Sequence, residues 1–306
     1  AFKAAQELQE LDVSIVIGPI FYESLEKIKD LDNITFISFT NKIQNIPKNT
    51  IAFGINIDSQ INALNNYFNK NKISQTLLLS PKDYFLSQTQ VIEESNLKLF
   101  DVFFYNVSPK KITSEIEVLT KYKERKKDLE RRIKILEKSD LPKDKNELKI
   151  LEQKHTLGKV SFDSVLVIDF GERLKSVLTS FIFSDVSSND VNFFTINQWF
   201  DESFFNESAL QNLHFPSINF VNLKKFRKKF RKIYNEDPKQ ISILAYDALG
   251  LIYYCWYNNN SKFEKSQLYN KKGFKGLHGE FFIENNQSKQ KLSIYKVSKK
   301  KFIKVY

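Results

Sequence analysis

Three histidines and one cysteine are what this chain offers for metal or nucleophilic chemistry. His155, His214 and His278 lie far apart, without the HxxxH or HxH spacing that brings two imidazoles to one metal. A single cysteine makes a zinc site improbable. Cys255 sits in the apolar run IYYCWY; it cannot form an internal disulfide, and a buried, inert thiol is expected there. The eight glycines form no GxGxxG, GxxxxGK[ST] or GxSxG loop. Asp169 and Glu172 could act as a carboxylate pair, but the run DFGER reads more simply as a cap on the next helix. No catalytic residue, cofactor or metal site emerges. The chain reads as a binding or scaffolding protein, not an enzyme.

Candidate binding residues come into view around DVSIVIGPIFYES, residues 12–24. Val13–Ile17 is a β-branched run that reads as a buried strand. It stops at Gly18-Pro19, and Phe21-Tyr22 leads into a helical pattern. In open α/β sheets ligands sit at the carboxyl ends of strands, so this loop is a candidate cleft wall. Similar apolar runs recur at 34–37, 51–55, 76–80, 100–105, 164–169 and 191–196. Helical patterns fall at 22–31, 59–71, 84–95, 172–183, 203–211, 222–235 and 240–257. This alternation predicts an α/β fold with largely parallel sheets, closed by short antiparallel strands in GEFFIEN, KLSIYKV and KKFIKVY.

Residues 109–158 break the rhythm. Tyr122, Leu129, Ile133 and Leu136 recur at near-heptad spacing, LPKD interrupts, and Leu148 and Leu151 follow, which predicts a charged helical hairpin inserted between two strands. It is either a solvated arm or a docking arm for another protein. KKFRKKFRKIYNEDP (224–238) is the densest basic patch, with Phe226, Phe230 and Ile233 on one helical stripe. It reads as a surface helix packed on the sheet, or as a contact for polyanions or anionic lipid. The formal net charge is +11, yet only six of the 47 basic residues are Arg, which argues against nucleic-acid recognition by bidentate contacts. No stretch is long and apolar enough for a transmembrane helix. The opening AFKAAQELQELD reads as the middle of a helix, and a parallel strand at 13 needs a neighbour. A further strand–helix unit, with any export signal, is therefore expected ahead of Ala1.

AAQELQELDVSIVIGPIFYES, followed by NITFISFTN, IAFGINIDSQINALNNYF and TLLLSPKDYF, resembles the ordered strands and helices of type I periplasmic binding proteins, the leucine/isoleucine/valine-binding family. FRKKFRKIYNEDPKQISILAYDALGLIYY matches that family's Phe-x₃-Phe…Tyr…Pro…Ala-Tyr-Asp-Ala pattern. Within it, Ile17–Ile20 and Ser38–Asn41 look most like the penicillin-binding protein activator branch of lipoproteins, as do 195–212 and 273–286. The likeness spans nearly the whole chain except 109–158.

The resemblance implies a two-lobed type I periplasmic-binding-protein fold, each lobe a mostly parallel sheet flanked by helices. Residues 1–72 with 238–285 form lobe one, and 73–237 with 286–306 form lobe two. It places the protein in the periplasm or cell envelope, lipid-anchored through an earlier segment. The partner would be a peptidoglycan synthase (a penicillin-binding protein) or, for a solute receptor, an ABC permease, with a small polar ligand in the cleft. The implied cleft residues are Tyr22, Ser38, Phe39, Thr40, Asn41 and Asp58 on one side, and Tyr84, Asp169, Asn197 and Trp199 on the other. Asp58 either meets a ligand ammonium or caps the following helix. Tyr22 stands where amino-acid receptors have a small Ser, so the aromatics either line the cleft or plug it.

Overall fold

The computed structural model describes residues 2–82, 92, 95 and 97–306. Tyr84 and the helix expected at 84–95 fall almost wholly outside the described residues. The chain divides into two compact units, 1–66 with 216–294 and 306, and 67–215 with 295–305. The divisions fall at 66, 215 and 294, against expected boundaries at 72, 237 and 285. The basic helix around 224–234 belongs to the first unit, where Phe226 packs against Tyr246 with ring centroids 5.8 Å apart.

Strands are numbered along the chain. In the first unit, β1 (Ile15–Ile17), β2 (Thr35–Ser38) and β3 (Thr50–Ala52) pair in parallel. Every residue of β2 and β3 is buried, as expected for strands covered on both faces. The sheet has six strands in the order β1-β2-β3-β11-β10-β9, with β9 at Phe274–Lys275, β10 at Glu280–Glu284 and β11 at Gln287–Gln290. The wholly polar β11 is not a strand that hydropathy predicts. It inserts parallel to β3 and antiparallel to β10, and its side chains bond inward: the Gln290 amide donates to the Phe53 carbonyl at 3.3 Å. The β10–β11 turn holds Asn285 and Asn286 at φ 49° and 60°, the left-handed pair that asparagine tolerates in tight hairpins.

Helix α1 (Phe2–Glu10) leads into β1, and α2 (Ile57–Asn71) runs across the division at 66/67. The expected helix at 22–31 is two 3₁₀ turns, Tyr22–Ser24 and Glu26–Ile28. Their Leu25 and Ile28 join Ala5, Leu31, Ile34 and Phe36 in a core cluster.

The second unit carries a seven-stranded sheet, β13-β12-β8-β7-β6-β4-β5. Its strands are β4 (Thr76–Pro81), β5 (Leu99–Tyr105), β6 (Ser164–Val167), β7 (Asn192–Thr195), β8 (His214–Ser217), β12 (Ser293–Ser298) and β13 (Lys301–Lys304). β5-β4-β6-β7-β8 pair in parallel, and β12-β13 form an antiparallel hairpin. The helix expected at 203–211 is again two 3₁₀ segments.

The insertion is shorter than 109–158. Helix α3 (Pro109–Leu119) belongs to the body of the unit: Ile112 and Ile116 are fully buried, and the Thr113 hydroxyl lies 3.0 Å from that of Ser180 on α6 (Gly171–Phe183). The hairpin proper is α4 (Tyr122–Leu136) and α5 (Pro142–Leu151), closed around Leu129, Leu136 and Leu151. Arg132 donates to both carboxylate oxygens of Glu147 across it, at 2.9 and 2.8 Å. The last helices, α7 (Phe220–Tyr234) and α8 (Ser242–Tyr257), return to the first unit.

Candidate functional site

Parallel pairing of β1, β2 and β3 brings the loops after them to one end of the sheet. The Ser38 hydroxyl donates to the Pro19 carbonyl at 2.7 Å and accepts from the Thr40 N–H at 3.3 Å, which ties the first loop to the second. The Thr40 hydroxyl accepts from the Lys42 N–H at 3.2 Å. The third loop closes on the second through Gly54, whose N–H donates to the Thr40 carbonyl at 3.1 Å. A Cβ at 54 would stand 2.4 Å from that oxygen, so only glycine allows the approach. Phe39 sets its ring edge-on to Phe53 at 6.5 Å.

Tyr22 turns its ring toward the core cluster of Leu25, Ile28 and Phe36. Its hydroxyl donates to the Gln44 carbonyl at 2.9 Å, and Lys42 Nζ lies 4.6 Å from the ring centre. Tyr22 is therefore held by its own unit, and Phe21 is the aromatic that projects, 71% exposed. Asn41 is also exposed.

Asp58 is not the cap of α2. Asn56 takes that role: its side-chain oxygen accepts from the Ser59 N–H at 2.9 Å, while its amide donates to the Ser288 carbonyl at 2.7 Å. Asp58 sits in the first helical turn, where the helix dipole favours a carboxylate, and pairs with Lys289 Nζ at 2.9 Å. The ammonium that a ligand would bring is supplied by β11.

The second unit presents the corresponding strand ends by itself. Asp169, beyond the end of β6, is fully buried. It accepts from the Tyr105 hydroxyl, from the Phe170 N–H at 2.8 Å and from Arg173 at 3.0 Å. Its own carbonyl accepts from Thr195 and Gln198. It does not cap α6, whose first turn has no side-chain cap, and it makes no carboxylate pair, because exposed Glu172 bonds to Lys175 instead. Asn197 is buried and spends its side-chain oxygen on the Trp199 N–H at 3.1 Å. Trp199 is half-buried at φ 49°.

Two buried residues outside the expected set organise their units. Arg125, 8% exposed, donates to the Thr120 and Ser184 carbonyls and the Thr156 hydroxyl. It anchors the hairpin to the body of the second unit, beside a polar cavity of about 550 Å³ lined by Lys154, His155, Lys159 and Asp163. Burial pushes its pKa down, and Asp185 and Asp190 oppose that. Asp247 on α8 accepts from the N–H groups of Leu277 and His278 at 2.8 and 2.7 Å and meets His278 Nδ1. A Cβ on Gly276 would stand 2.5 Å from its carboxylate. The Ala-Tyr-Asp-Ala run therefore serves a loop clamp, a role its apolar surroundings alone do not reveal.

His214 lies in the core of the second unit between the rings of Tyr67 and Phe194. Burial pushes its pKa down to about 4; the Phe193 carbonyl opposes this and Lys296 adds to it. Cys255 is buried, which raises its thiol pKa, so the thiolate needed for reaction is disfavoured.

Solved structures of this architecture include the C-domain of LpoA (YraM) from Haemophilus influenzae, a regulator of PBP1A. It matches at TM-score 0.61 and 12% identity, over 100% of this chain and 86% of that one. Full-length LpoA from the same organism is covered over 50% of its length. An ABC transporter substrate-binding protein from Desulfitobacterium hafniense matches at TM-score 0.64 and 12% identity, over 99% of this chain and 84% of that one. The leucine-binding protein LivK from Thermotoga maritima gives TM-score 0.60 and 11% identity, over 99% and 82%. No family model and no curated protein matches the sequence. The chain has the α/β fold of type I periplasmic binding proteins, and that fold is shared by regulators and solute receptors alike.

Proposed function

We propose that the chain is a non-enzymatic protein of the cell envelope that acts as a scaffold or activator for a peptidoglycan synthase of the penicillin-binding protein class, held at the membrane by a lipid anchor. What carries this reading is the state of the loop residues in the first unit. Ser38 is bonded to Pro19 and Thr40, Tyr22 to Gln44, and Asp58 to Lys289. A ligand carboxylate or ammonium would have to displace bonds the fold already makes, and each displaced buried polar group costs about 1–3 kcal/mol. A solute receptor would keep such donors open. The likeness to the LpoA C-domain supports the same side.

The alternative is a receptor for an amino acid or a related polar metabolite, delivering to an ABC permease. Exposed Asn41 beside the Ser38–Thr40 loop favours it, as does the likeness to substrate-binding proteins. Binding of the purified chain to a penicillin-binding protein tests the first reading. Saturable association that raises glycan polymerisation is the expected result. Absence of association, together with stabilisation by an amino acid, reverses the choice.

A further inference from the structure

Residues 152–163 carry the chain from α5 back to β6 with no helix or strand of their own. This connector is pinned at its middle. The Leu157 N–H donates to the Arg125 carbonyl at 3.0 Å, and the Thr156 hydroxyl accepts from Arg125 and donates to the Asp185 carboxylate at 2.6 Å. Between the connector and the starts of β4, β6 and β7 lies the polar cavity of about 550 Å³, with Gln75, Asp163 and Asp190 at those strand starts. It therefore sits at the opposite end of the second sheet from Asp169 and Asn197. Its size is in the range of about 300–1,000 Å³ usual for small-molecule sites.

The polar groups here are open, unlike those of the strand-end loops in the first unit. Gln75, Gln153, Lys154, His155, Lys159 and Ser161 line the cavity, and their side chains make no hydrogen bond or ion pair among the described residues. Asp185 and Asp190 each engage one carboxylate oxygen, with Thr156 and Ser187 respectively, and keep the other as an acceptor. The lining charges balance, with Arg125, Lys154 and Lys159 against Asp163, Asp185 and Asp190. A simple anion gains little net attraction from such a wall. No group of His, Cys, Asp and Glu among the described residues is placed to hold a metal ion.

We infer that this cavity binds a neutral saccharide of mono- or disaccharide size. A sugar hydroxyl both donates and accepts, as a serine hydroxyl does. The wall matches that dual character: ammonium groups donate, carboxylate oxygens accept, and the two glutamine amides do both. A zwitterionic amino acid would use one cation and one carboxylate and leave the amides idle. The inserted hairpin creates the site, because its return segment closes over the strand starts. Sugar binding here is independent of what the strand-end loops recognise, and of whether the chain activates a synthase.

The test applies the purified chain to an array of neutral mono- and disaccharides, then titrates the best-bound sugar by calorimetry, with pyrophosphate as the anionic probe. Saturable binding of at least one sugar is expected, little changed as salt is raised. Hydrogen exchange across 152–163 should slow in its presence. The double variant Gln75→Ala/His155→Ala, at two exposed positions, should weaken binding at least about tenfold with the unfolding midpoint unchanged. Asn41→Ala, on the exposed loop of the first unit, should leave the affinity unaltered. Failure to bind any sugar overturns the assignment, as does equal binding by the double variant. Pyrophosphate binding in preference to every sugar also overturns it, and so does loss of sugar binding in Asn41→Ala.

Discussion

Asp247 shows how one side chain fixes a segment distant in sequence. Its carboxylate satisfies the buried N–H of His278 and the partly buried N–H of Leu277, and meets His278 Nδ1. Asp247→Ala leaves those groups unpaired, so urea unfolding should show a loss of about 2–4 kcal/mol. Asp247→Asn, which keeps one acceptor oxygen, should lose less. His214 gives a pH signature. In the unfolded chain it takes up a proton near pH 6.5; in the folded chain burial delays that to about pH 4. Its contribution is therefore whole above pH 6.5 and is lost as pH falls from 6.5 to 4, by up to about 3 kcal/mol. Thermal unfolding across that window should show the loss, and His214→Gln should flatten it. The family resemblance pointed to Ser38, Thr40 and Asp58 as strand-end polar groups. It could not reveal that the bonding partners are the Pro19 carbonyl and Lys289, because those contacts depend on tertiary register. β11 is the clearest case: Gln-Ser-Lys-Gln carries no hydrophobic period, yet it brings Lys289 to Asp58.

At the scale of elements, the alternation of strands and helices was legible because buried parallel strands are near-continuous apolar runs. The inserted arm was legible only as a whole. Charged composition joined α3 to the hairpin, whereas Ile112 and Ile116 place α3 in the body of the second unit. The 3₁₀ turns at 22–28 are not legible in the sequence, because apolar spacing does not separate a 3₁₀ turn from a short α-helix. Arg125 is the joint between arm and body, and a buried guanidinium with all its bonds to neutral groups is costly to leave unpaired. Arg125→Met should raise amide hydrogen exchange across 122–151 while β4, β6 and β7 keep their protection. Equal loss in both regions would mean that the arm and the body fold as one cooperative block.

For the molecule as a whole, the fold was legible and the occupant was not. A type I binding-protein architecture follows from ordered strands and helices, but its use depends on whether a few loop groups are open or already bonded. The +11 net charge steers acidic partners toward the protein without naming one. The most direct test is thermal unfolding of the purified chain with each amino acid at about a thousand times a micromolar Kd. No midpoint shift is predicted for any of them, because Tyr22, Ser38 and Asp58 at that end of the first sheet are already bonded within the chain. A reproducible stabilisation of about 4 kcal/mol by one amino acid, the value for saturating occupancy at that excess, would contradict the account.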